Sequence, residues 1–235
     1  MTELKRVPTP FSYSAAVAAE DFIFLGLHRG WGDDFITQLD DTFSHLKKTL
    51  IKFDLSLANL VIVYVWLKDM NNVREMEKRF LSYFEKDKYP ARTGGSTEFI
   101  DDDCLFMMEG IACRKEFDMT KVKRITSDFS FSYAVGAGDY VFLGHHRGFG
   151  KDFATQFEGT FQFLKKTLAE FDLTLADLIK VNVHLKDIKD LPEMEKRFNN
   201  CFEKGNFPAR MTTTTKFVDD DTLLMIDGIA YRKKK

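Results

Sequence analysis

Along the chain, apolar positions fall into two rhythms, one of strand length and one of helical period. Phe22-Ile23-Phe24-Leu25 is a short apolar run closed by Gly26, the mark of a buried strand. Phe35, Leu39, Phe43, Leu46, Leu50 and Phe53 then recur at helical spacing, which predicts a long amphipathic helix over residues 33–53. Asp33 and Asp34 suit its N-terminal end, and Lys47, Lys48 and Lys52 suit the other. The β-branched, apolar run from Leu60 to Leu67 predicts a central strand. Val73, Met76, Phe80 and Phe84 predict a second helix, with Asn71 or Asn72 as its cap. Two last strands follow near residues 93–99 and 105–113, turned by Asp101-Asp102-Asp103. The order β, α, β, α, β, β predicts an α+β layer, a mixed sheet with two helices packed on one face. The helix-free face is also rich in apolar residues, so another copy of the unit, within or between chains, is expected to bury it.

That second copy is in the same chain. Shifting the sequence by 118 positions aligns residues 5–115 with 123–233 without a gap. Gly26-Leu27-His28-Arg29-Gly30 then meets Gly144-His145-His146-Arg147-Gly148, and Leu46-Lys47-Lys48-Thr49-Leu50 meets Leu164-Lys165-Lys166-Thr167-Leu168. Roughly half of the paired positions are identical, far above what shared periodicity alone produces. The period is domain-sized and too long for a solenoid. Two domains of one fold are expected, 1–117 and 118–235, joined around residues 116–121 with almost no linker.

Composition narrows the function classes. With 44% hydrophobic residues and 24 Phe among 235 residues, the chain can build substantial cores. A formal net charge of -2 leaves no basic footprint for nucleic acid, and the terminal Arg232-Lys233-Lys234-Lys235 run reads as a solubilising tail. No stretch has the length and apolarity of a membrane span. Three cysteines without metal-type spacing, and an N-terminus without a signal-type apolar core, lead us to expect a cytoplasmic protein.

Few residues carry chemistry. Arg92 and Arg210 each follow a Pro-Ala pair at the entry to a predicted strand, in YPARTGGSTEF and FPARMTTTTKF. A guanidinium aimed by a stiff backbone suits a carboxylate ligand, or else a structural ion pair with an acidic side chain. Glu109 and its counterpart Asp227 are acids within apolar strands, which marks them as site candidates or as balance for the arginines. His28 and His146 follow the first strand and read as loop or pocket-wall residues. No second His or Cys stands at ligand spacing, so no metal is expected. The Gly30/Gly32 pair does not complete a phosphate-binding motif. Taken alone, these residues describe a small polar site that holds a carboxylate.

Several motifs in order add to this. Phe11-Ser12-Tyr13-Ser14-Ala15-Ala16-Val17 is followed by Phe22-Ile23-Phe24-Leu25-Gly26. Then come Val63-Tyr64-Val65-Trp66-Leu67-Lys68-Asp69-Met70, the aromatic-Pro-Ala-Arg segment, and Glu109-Gly110-Ile111-Ala112. Each copy, over nearly its whole length, resembles the Rid/YjgF family of reactive-intermediate deaminases. The resemblance implies a chorismate-mutase-like α+β fold, trimeric assembly with sites between neighbouring domains, and hydrolysis of 2-imino acids to 2-keto acids and ammonia without a cofactor. It implies that Arg92 and Arg210 grip the substrate carboxylate, that Glu109 or Asp227 positions water, and that Tyr13 completes the set. Backbone near Gly26 and Gly144 and after the arginine (Thr93-Gly94, Met211-Thr212) is expected to line the pocket, with Gly94-Gly95 leaving room for a ligand and Met211-Thr212-Thr213 narrowing the wall. The chain departs from the family pattern at Leu25, Leu143, His28 and His146, and the second copy has Phe131 for Tyr13 and Asp227 for Glu109. The first copy's Arg92-Tyr13-Glu109 set is therefore expected to be nearer the deaminase pattern, unless both copies share one pocket. A non-catalytic carboxylate-binding module is the alternative. A homo-oligomer is expected, with three chains supplying six domains as two stacked rings or one pseudo-sixfold body.

Overall fold

A computed structural model describes residues 4–114 and 117–232; the last three residues of the basic tail and the start of the joint lie outside that range. In the first copy, strands β1 (Lys5–Pro8), β2 (Ser14–Ala19) and β3 (Phe22–Arg29) precede helix α1 (Phe35–Ile51). Strand β4 (Leu60–Leu67), helix α2 (Val73–Tyr83), and strands β5 (Ala91–Ser96) and β6 (Phe106–Cys113) complete it. The second copy repeats the order as β7 (Lys123–Thr126), β8 (Ser132–Ala137), β9 (Tyr140–His146), α3 (Phe153–Ala169), β10 (Leu178–Leu185), α4 (Leu191–Asn199), β11 (Ala209–Thr214) and β12 (Leu224–Tyr231). Both long helices start where the sequence supplies a cap: Asp34 and Asp152 accept from the backbone N–H of Thr37 and Thr155 at 2.9 and 2.8 Å. Asn72 precedes α2 but makes no side-chain cap bond; Asp69 instead caps the 3₁₀ turn that leads into it.

All twelve strands form one sheet. Within a copy the middle strand pairs in parallel with the Pro-Ala-Arg strand and antiparallel with the last strand, so the sheet is mixed. The copies join edge to edge, β5 beside β8 in parallel at Ala91 and Ser132. The Ser132 N–H donates to the Pro90 carbonyl at 2.9 Å, and its hydroxyl donates to the Tyr89 carbonyl at 2.7 Å.

Three cores follow. In each copy the long helix packs its apolar stripe on one sheet face; Leu39, Phe43, Leu46 and Leu50 are fully buried or nearly so, as are their counterparts Leu164 and Leu168. The third core lies on the helix-free face and draws on both copies: Phe22, Val61, Ile62 and Cys113 meet Val135, Ala137 and Phe142. Phe22 stands edge-on to Tyr140 and Phe142, with centroids 5.6 and 5.5 Å away. The partner expected for the apolar helix-free face is thus the second copy itself, and Phe117, Met119 and Val122 of the joint close over it. No helix of the described residues is long and apolar enough to cross a membrane.

Candidate functional site

The Pro-Ala-Arg strand of the first copy begins at the junction, and there Arg92 enters a cleft of about 870 Å³ walled by both copies. Its side chain is buried, with the guanidinium between the rings of Phe80, 4.7 Å from the centroid, and Phe131 of the second copy, 4.9 Å away. One edge of the fork pairs with the Glu77 carboxylate on α2 and the other donates to the Ser130 hydroxyl at 3.0 Å. The second Glu77 oxygen accepts from the Ser130 backbone N–H at 3.2 Å and from its hydroxyl. Burial lowers the Arg92 pKa, against the opposing effect of Glu77. Beside them His145 rests its ring 4.6 Å from that of Phe131. Burial and the Arg92 charge pull its pKa down to about 3, against the opposing effect of its hydrogen bond to the Arg92 backbone, so the imidazole is neutral at physiological pH.

The junction depends on a glycine. A Cβ on Gly144 would stand 2.8 and 2.9 Å from the Arg92 carbonyl oxygen and amide nitrogen, so β9 comes this close to β5 only without a side chain. Much of the remaining cleft wall is aromatic and aliphatic, with Phe129, Tyr133, Phe149 and Phe163 from the second copy facing Val65, Val73 and Met76, and Arg74, Arg147 and Asp219 also line it. Among the described residues no group of three His, Cys, Asp or Glu side chains is placed to hold a metal ion.

The family model described as Endoribonuclease L-PSP matches residues 5–113 and, a second time, 123–232. The chain belongs to this family. It is a tandem duplication of the unit also called RutC or YjgF. A RutC family protein of Pyrococcus abyssi is 25% identical over 111 residues, which span 44% of this chain and 87% of that protein. One of Haemophilus influenzae is 29% identical over 85 residues, 35% of this chain and 65% of that protein. Among solved structures, a chorismatase covers 92% of this chain, and 76% of its own, with a TM-score of 0.67 at 14% identity, a likeness of fold alone. The mixed-sheet α+β fold is that of the family.

Within this family fold the expected site residues separate. Arg92 and Gly94 line the junction cleft, and Gly144 underlies it. Tyr13 does not approach Arg92; it is exposed at the far edge of the first copy, stacked 5.8 Å from Phe11, and the matching position of the second copy, Phe131, covers the arginine instead. Gly26 sits at that far edge too, beside the Ser14 carbonyl. Glu109 lies on the opposite face of the sheet. It pairs across β6 and β4 with Tyr64 on the helix-free side, whereas Arg92 reaches the Phe80 ring of α2 on the helical side. There burial raises the Glu109 pKa, opposed by Lys180. Asp227 occupies the equivalent face, fully buried, accepting from Asn182 Nδ2 at 2.8 Å and His184 Nε2 at 2.9 Å. Thr93 is buried on that face as well, next to Tyr64 in register.

The two histidines expected near the pocket are structural. His28 and His146 are buried, each with Nδ1 2.9 Å from a glycine carbonyl (Gly26, Gly144) and Nε2 2.9 Å from a helix threonine (Thr49, Thr167). The carbonyl fixes the tautomer, with Nδ1–H donating and Nε2 accepting. Burial lowers both pKa values, to about 4 for His146. Arg210 stands at the free edge strand β11, paired with Glu195 and 4.6 Å from the Phe198 ring, with Met211 half exposed beside it and Thr212 next along the strand. Among the described residues its partners all come from the second copy itself and none from the first, so the wall expected of Met211-Thr212-Thr213 is open on one side. Gly94 and Gly95, expected to leave room for a ligand, make room first for protein: added Cβ atoms would meet Val65 and the Thr215 hydroxyl.

Proposed function

We propose that the junction cleft hydrolyses 2-imino acids to 2-keto acids and ammonia, with Arg92 holding the substrate carboxylate. The observation that carries this reading is the buried Arg92 at the cleft floor with Glu77, Ser130 and a neutral His145 beside it. Water adds to the C=N carbon, its proton passes to the nitrogen, and the resulting carbinolamine collapses with loss of ammonia. Among the described residues Glu77 is the acid paired with Arg92, and it positions the water or shuttles its proton, a role the family resemblance implied for Glu109; the unprotonated His145 nitrogen accepts from the same water. An imine is labile in water, so fixing it against these groups supplies much of what catalysis needs.

A second reading has its own observation. Glu77 already fills one edge of the Arg92 fork, which favours a binding module that exchanges one carboxylate for another without turnover. Generating 2-iminopropanoate in situ and following its loss separates the two. Acceleration by the wild type, lost by about 100-fold or more in Arg92→Ala and Glu77→Gln, supports the enzyme. Binding of the keto acid without acceleration supports the module, and neither result removes both.

For assembly we infer a homo-oligomer in which the free β11 edge takes the β2 edge of the next chain, as β5 takes β8 within the chain. Arg210 then meets Ser12 and Tyr13 of that neighbour. Two stacked three-domain rings built from three chains would split one chain between rings, against its own β5–β8 pairing. The reading retained is one body of six domains from three chains. Light scattering at three chain masses supports it, and a stable monomer overturns it.

A further inference from the structure

We propose that the junction cleft selects acids with an aromatic side chain, and that Arg74 is a second anchor for their carboxylate. This rests on the reading that the cleft takes a carboxylate, and concerns which one. A pyruvate-sized acid leaves most of an 870 Å³ cleft unfilled; volumes of about 300–1,000 Å³ suit much larger ligands. The walls are rings. Phe131 stands edge-on to Tyr133 at 5.4 Å, and Tyr133 edge-on to Phe163 at 4.8 Å, an ordered aromatic surface facing the Arg92 side. Two of these rings are peculiar to the second copy. Tyr133 and Phe163 stand where the first copy has Ala15 and His45, so two of the changes between otherwise similar units add aromatic area to this one wall.

The charge pattern fits the same ligand. Arg92 is tied to Glu77 and Ser130, and Arg147 to Asp219 at 2.6 Å and to the Thr222 hydroxyl. Arg74 lines the cleft one helical turn before Glu77, and among the described residues it has no ion pair or hydrogen bond. It is therefore the uncommitted guanidinium of the cleft, placed to offset the Glu77 charge as a ligand carboxylate arrives. The second copy has Pro192 at the matching position, so this anchor belongs to the junction cleft alone.

Calorimetric titration of the full chain with phenylpyruvate and with pyruvate tests this. Phenylpyruvate is expected to bind about tenfold or more tightly than pyruvate. Tyr133→Ala is expected to remove most of that preference while pyruvate affinity stays within about twofold, and Arg74→Ala to weaken both acids about tenfold. Phe149→Ala, at a 75% exposed position on the same wall, gives the same reading should Tyr133→Ala fail to fold. Equal affinity for the two acids, a preference untouched by the wall variants, or an Arg74→Ala protein that binds like wild type overturns the inference and leaves carboxylate binding standing. Binding of neither acid overturns both.

Discussion

Arg92 shows how far a single residue can be read before its surroundings are known. The Pro-Ala pair in front of it indicates a fixed side chain at a strand entrance, and the structure places it there. Its partners were not legible. Glu77 lies fifteen positions away on α2, where the sequence shows only an acid on an amphipathic helix, and Ser130 and Phe131 come from the other copy. His145 left one trace, a histidine where the first copy has Leu27, and it was overshadowed by His146, which both copies share and which serves the core. These two neutral histidines, His146 buried and His145 half-buried, make a prediction about pH. Their folded pKa values lie below the ordinary 6.5, so on acidification the unfolded chain takes up protons that the fold refuses. Stability is therefore full above about pH 6.5 and declines as pH falls toward about 4. His145→Leu, which restores the first-copy residue, is expected to flatten that decline. Urea midpoints for both proteins between about pH 7 and 5 check it; midpoints that do not move with pH contradict it.

At the scale of elements, the strongly periodic segments were the readable ones. The α1 stripe and the β4 run appear within two residues of their expected ends, because each buries a continuous apolar surface that only one period satisfies. Strands β1 and β2 went unread as strands. Ser14–Ala19 is made of small residues whose strand state is imposed by its neighbours on either side rather than by its own composition. Glu109 and Arg92, expected in one set, lie on opposite faces for a related reason. Sequence distance from Arg92 does not reveal which side of the pleat each residue takes, and that depends on strand register. The junction strands carry the sharpest mechanical test. Gly144→Ala places a methyl against the Arg92 backbone and is expected to cost ~1–3 kcal/mol as β9 is pushed from β5, with keto-acid affinity falling alongside. Chemical denaturation together with calorimetry measures both; unchanged stability and affinity would show that the junction tolerates a side chain there.

At the scale of the molecule, duplication within one chain gives the two Pro-Ala-Arg arginines different surroundings. Covalent joining fixes one edge-to-edge junction, β5 on β8, and there a first-copy arginine gains second-copy aromatic cover. The other Pro-Ala-Arg arginine is left at an open edge with Glu195. The second copy has Phe131 where the first has Tyr13 and Tyr133 where the first has Ala15, and the cleft it walls is rich in aromatic rings. On the helix-free face, Asp227, His184 and Asn182 form a bonded set that the first copy replaces with Glu109, Trp66 and Tyr64. The carboxylate site proposed here belongs to the junction and to neither copy alone. A crystal structure of the chain with phenylpyruvate tests it most directly. The carboxylate is expected within about 3.2 Å of the Arg92 guanidinium and the phenyl ring against Tyr133 and Phe163. A ligand bound on the helix-free face beside Glu109 and Lys180, or at Arg210 with the junction cleft empty, would contradict it.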